Sequence, residues 1–175
     1  HEIHCDDLLL EKQANRATWE KTRRLMERLV QTAEDNQVKL ALRFRHPFVE
    51  GCLKWGGADN PLVDWELRGH EIGTHAHTRK IRRTAVALKQ AGVKRNHCVV
   101  PGLIQKRRVE AVRTISATRG LGFKYCTDQP QLGSFPYSGL VPWRPSADLH
   151  TTGSDELLMI DVSVNPFKWG LLITD

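Results

Sequence analysis

Short β-prone runs alternate with amphipathic helical stretches along this chain, and that alternation restricts it to few architectures. Ile3 to Cys5 reads as a short strand, and Asn15 is placed to cap a helix running to about Asp35, with Trp19, Met26, Leu29, Val30 and Ala33 on one stripe. Val38 to Phe44 alternates as a strand, Pro61 to Leu67 reads as a short helix, and Glu71 to Thr74 as another strand. Ile81 to Ala91 has helical spacing and is closed by Gly92. A strand over His97 to Val100 follows, ended by Pro101-Gly102, then a helix over Val109 to Thr118 closed by Gly120. Phe123 to Thr127 and Leu157 to Val164 are the last strands. Strands separated by helices imply crossover connections, hence an α/β fold with a parallel sheet. Gln129 to Asp155, rich in Pro, Gly and Ser, breaks the rhythm as a long irregular excursion beside a site.

With 175 residues, 40% of them hydrophobic and 26% charged, the chain is expected to form one globular domain over residues 1–175. No apolar run approaches the roughly 18 residues that cross a bilayer, so no transmembrane segment is expected. The chain opens on His-Glu-Ile-His rather than on a basic segment followed by an apolar one, and its end reads as an interrupted element. Both termini are therefore expected to be truncated. The net charge of +6 is compatible with an anionic polymer, but the basic residues recur at helical spacing without interleaved aromatics. They read as solvated helix faces, and nucleic acid is not an expected partner. Cys5, Cys52, Cys98 and Cys126 form no C-x-x-C pair and settle neither a redox compartment nor a metal site.

Ligands of parallel α/β folds collect at the carboxyl ends of strands. Two clusters fall there. Asp6 and Asp7 follow the first strand, and Gly69-His70-Glu71-Ile72-Gly73-Thr74-His75-Ala76-His77-Thr78 carries imidazoles out of a later one. Aspartate and histidine at strand ends suit a divalent cation such as zinc, with one carboxylate free to act as general base toward a water. The other reading of the aspartate pair is a helix cap or turn. If the later strand runs through residue 77, its period of two puts His75 and His77 on one side, where both can ligate one ion. If a helical turn begins at His75, the position four residues on is Arg79, which cannot bind a metal. His70 reads as structural, hydrogen-bonded to a neighbouring loop. Trp55, Trp65 and Trp143 are candidate sugar-stacking platforms, with core packing as the other fate.

The run Gly69 to His75 resembles the second motif of the polysaccharide deacetylase family, and Cys5-Asp6-Asp7 resembles its first. Val141 to Ser146 and Glu156 to Val164 resemble a late stretch of some bacterial members, so the likeness covers most of the chain in order. The resemblance implies a distorted (β/α) barrel of the polysaccharide deacetylase type, possibly incomplete, that removes acetyl groups from N- or O-acetylated carbohydrate. It implies Asp6 as general base, Asp7 and His75 as ligands of a divalent metal, usually zinc, and His77 as the replacement for the third ligand. Trp143 and Arg144 are the substrate-contacting candidates.

The chain departs from the family pattern in three places. Arg79 stands where the third ligand is expected, and Val100 stands where an Arg precedes the Pro-Gly turn. No histidine after the last strand matches the general acid, and His150 is a candidate by sequence proximity alone. These departures keep two alternatives open: a catalytically impaired barrel that retains sugar binding or a structural role, and a different amide-hydrolysing metal-dependent barrel that uses the His-x-His pair.

Overall fold

The computed structural model describes residues 2–4, 15–76, 80–101, 108–127 and 157–160. They form β1 (Glu2–His4), α1 (Arg16–Asp35), β2 (Ala41–Phe44), α2 (His46–Trp55), α3 (Pro61–Leu67) and β3 (Glu71–His75). α4 (Ile81–Gln90), β4 (Cys98–Val100), α5 (Arg108–Arg119), β5 (Tyr125–Thr127) and β6 (Leu158–Ile160) follow. The chain is an α/β protein. Its six described strands make one sheet in the order β1-β2-β3-β4-β5-β6, every neighbouring pair parallel.

Local chemistry sets the helix boundaries. Asn15 caps α1, its side-chain oxygen accepting from Thr18 N–H at 3.1 Å. The stripe expected on α1 is the buried one: Trp19, Met26, Val30 and Ala33 enter the core and Leu29 packs at its edge. Each fully buried apolar side chain of this size contributes roughly 1.5–3 kcal/mol. Asn60 caps α3 in the same way, accepting from Leu62 N–H at 3.1 Å, with Pro61 in the first helical turn. α5 runs one residue past Thr118, and the turn after it reaches positive φ at Gly122 (+77°) rather than at Gly120.

α2 has no counterpart in the sequence reading. Gly51 lies in its interior, where glycine ordinarily weakens a helix, but a Cβ there would stand 2.3 Å from Cδ1 of Trp19. The glycine is the seat for that indole, and Phe48, Val49 and Cys52 bury the same side of the helix.

Register divides the sheet into two unlike faces. Leu42, Phe44, Ile72, Val99, Cys126 and Met159 lie on one face, and every helical residue of the two apolar cores is grouped with strand residues of this face. Phe44, Phe48 and Trp65 stack there, with centroids 4.8–6.2 Å apart. Trp65 is therefore core and not a sugar platform; its indole N–H donates to Glu27 at 2.7 Å. Trp55 leans on Trp19 at the margin of the same core. The opposite face carries Arg43, Glu71, Gly73, His75, Cys98, Tyr125 and Thr127. Among the described residues, no helix is long and apolar enough to cross a membrane.

Candidate functional site

The loop into β3 is built before the strand itself. Gly69 takes φ +92°, which turns the chain out of α3. His70 follows, wholly buried, with Nδ1 accepting from Leu40 N–H at 3.1 Å and Nε2 3.2 Å from Glu34. Because Nδ1 accepts, the proton sits on Nε2 and is donated to the carboxylate. Arg68 binds the same Glu34 at 2.6 Å and Glu27 at 2.7 Å. Hydrogen bonding from Arg68 brings the Glu34 carboxyl down to about 2, against the opposing effect of burial. His70 is thus a structural residue, as its position between Gly69 and a strand suggests, with a backbone amide and a carboxylate as its partners.

β3 ends at His75, paired with Val100 of β4, and the next amide, Ala76 N–H, donates to Val100 O at 3.1 Å. His75 is 5% exposed and lies on the face away from the helices. The strand includes His75, one residue beyond the expected Thr74. Val100 is the direct neighbour of His75 across the ladder.

One layer toward the amino edge, register aligns Arg43, Gly73, Cys98 and Tyr125 across β2 to β5. The two small residues in the middle leave room for the large ones at either side. Arg43, 1% exposed, reaches across Gly73 and places Nη2 3.3 Å from Glu71 Oε1. The Tyr125 hydroxyl donates to the same oxygen from the other side. A buried guanidinium needs such a carboxylate, since an uncompensated charge is costly away from water. Burial, and then the bond to Glu71, push the Tyr125 phenol above its ordinary range. Cys98 Sγ lies 3.4 Å from Thr127 Oγ1. Sequence reasoning passed over Arg43, Glu71 and Tyr125; the available signal was a charged residue inside the apolar run Leu40 to Phe44.

Asp6, Asp7, His77, Arg79, Trp143 and Arg144 lie outside the described residues, as do Cys5 and His150. Of the expected ligands, the described residues contain His75 alone. Its imidazole is a nitrogen donor of the type zinc accepts, carried on a polar face at the carboxyl edge, and so fits as one member of a ligand set. Among the described residues, no group of three or more His, Cys, Asp or Glu is arranged to hold a metal ion. No family model, no curated protein and no solved structure matches the chain.

Proposed function

We propose that this chain is a metal-dependent hydrolase that removes acetyl groups from N- or O-acetylated carbohydrate on a distorted (β/α) barrel. The observation that carries the reading is the register of β1, β2 and β3. His4 pairs with Arg43, and Arg43 with Gly73, so β1 and β3 run in parallel register; Asp6 and Asp7 follow the carboxyl end of β1 in sequence, and His75 closes that of β3. β1 and β3 are two strand spacings apart, about 10 Å, which supports a reading in which a carboxylate after β1 and the imidazole of His75 serve one site at the same edge of the sheet. The barrel is favoured by the unbroken strand order. Right-handed crossovers in that order put every helix on one face, and a sheet that curls on itself encloses the other, in keeping with the burial of Arg43, His75 and Cys98 there.

In this reading Asp7, His75 and His77 hold the metal. When bound, zinc supplies a Lewis acid that lowers the pKa of a water and steadies charge on a carbonyl oxygen. Asp6 takes the proton of the attacking water, whose oxygen bonds to the acetyl carbon. The carbon–nitrogen or carbon–oxygen bond to the sugar then breaks, the departing nitrogen or oxygen takes up the proton that Asp6 removed, and acetate leaves. Trp143 and Arg144 contact the sugar.

A second reading, an impaired barrel that still binds sugar, is favoured by one observation: Val100 stands beside His75 where the family's motif has arginine. Acetate release from chitooligosaccharides and acetylated xylan, with added zinc, tests both. Release that disappears in Asp6→Asn and His75→Ala supports the deacetylase. A folded, zinc-supplied chain that releases none sinks it and leaves the second reading.

A further inference from the structure

α2 packs against α4, and between them lies a groove of about 590 Å³ lined by His46, Glu50, Leu53, Arg82, Arg83 and Val86, among others. That volume is in the range of small-ligand sites, roughly 300–1,000 Å³. Its mouth is at the carboxyl edge of the sheet: His46 comes two residues after the end of β2, and Arg82 and Arg83 lie in the first turn of the helix after β3.

The charges around this mouth do not balance. Glu50, the one carboxylate in the lining, is already held by Lys54 at 2.7 Å. Among the described residues, no carboxylate pairs with Lys80, Arg82 or Arg83. His46 Nδ1 is buried with no hydrogen-bond partner among them, and burial, then Arg83, hold its imidazole below the ordinary histidine range. Neither helix has an acidic residue in its first turn, and Lys80, Arg82 and Arg83 stand together at the positive end of the α4 dipole. An anion in the groove relieves each of these repulsions.

We propose that the groove between α2 and α4 binds the carboxylates of an anionic glycan, a uronate-bearing sugar chain that enters it from the carboxyl edge. Two adjacent guanidiniums present the planar forks that grip carboxylates in pairs. The lining contains no Phe, Tyr or Trp to serve as a stacking platform for bases, which disfavours a single-stranded nucleic acid. Leu53 and Val86 are the large aliphatic side chains of the lining, too few for the successive anchors that a peptide helix lays along a groove. That the ligand is a glycan rests on the deacetylase reading; that it is anionic rests on the groove.

The test is calorimetric titration of the full chain, without zinc, with hexagalacturonate and with neutral chitohexaose. Arg82 and Arg83 are exposed, so Arg82→Ala/Arg83→Ala is expected to melt as the parent does. Hexagalacturonate binding should weaken by about tenfold or more in the double variant, and in the parent with rising salt, while chitohexaose is unchanged by the substitutions. Equal hexagalacturonate affinity in parent and variant overturns the inference. So does an RNA oligonucleotide or an acidic peptide of equal charge that binds the parent more tightly. Arginine-dependent uronate binding without any acetate release strikes the deacetylase reading alone; acetate release without such binding strikes the groove alone.

Discussion

Arg43 lies across the neighbouring strand at Gly73, where a Cβ would stand 2.8 Å from its Nη1 and 2.9 Å from its Cδ. The carbonyl of Cys98, 3.1 Å from the same point, belongs to the backbone and closes the remaining space. Gly73→Ala should therefore destabilise the fold by about 1–3 kcal/mol, the usual cost of overfilling a packed interior. Urea unfolding monitored by tryptophan fluorescence reads this directly. An unchanged midpoint would mean that Arg43 has another place to go.

Gly51→Ala sets two effects against each other. Alanine in a helix interior gains about 1 kcal/mol over glycine. Against it, the new methyl would meet Trp19 Cδ1 at 2.3 Å and Cγ at 2.7 Å, on a rigid ring with the core behind it. The clash is expected to win, with a net loss of about 1–3 kcal/mol in the same urea assay. A net gain would show that the seat on α2 is loose.

Glu34 ties acid stability to the turn before β3. Its carboxyl is held at about 2 in the folded chain, first by Arg68, against an ordinary value of 4.5. Between those values the unfolded chain binds the proton that the folded one refuses, so folding loses this contribution as the pH falls. Glu27 shifts the same way, hydrogen bonds from Trp65 and Arg68 overcoming the opposing effect of burial. Urea midpoints taken from pH 6 downward should drop below about 4.5 and continue to fall toward about 2. Glu34→Gln should flatten that decline, and an unaltered slope would put its origin elsewhere.

Arg79 bears on the metal site proposed above. Arg79→His restores a donor four residues after His75 and should tighten zinc by roughly tenfold or more, since even outer-shell partners are worth 10–100-fold. Competition with a zinc-sensitive dye measures it. No change would mean that position 79 faces away from the ion.

Much of the secondary structure is legible in the sequence because caps and apolar stripes act locally. Asn15 and Asn60 start their helices by bonds within three residues, Pro61 adds a φ already set for the first turn, and Gly92 adopts φ +95° where a helix end calls for it. α2 is not legible, because the reason for Gly51 is Trp19, 32 positions earlier in the chain. Arg43 misleads for a related cause. In the run Leu40 to Phe44, alternation suggests a strand with one face in water, whereas a parallel sheet buries both. Its carboxylate partner is fixed only by the pairing of β2 with β3. The candidate site is legible as a set of donors at strand ends, and the structure adds His75 on the polar face with Val100 beside it.

The sheet works as a partition. Behind it, helices and aromatic rings supply cohesion; ahead of it, ionic and hydroxyl groups are held in a fixed array. Odd and even positions of a single strand therefore answer to different demands, so replacing Ile72 tests how firmly the molecule holds together, whereas replacing His75 tests what it can hold.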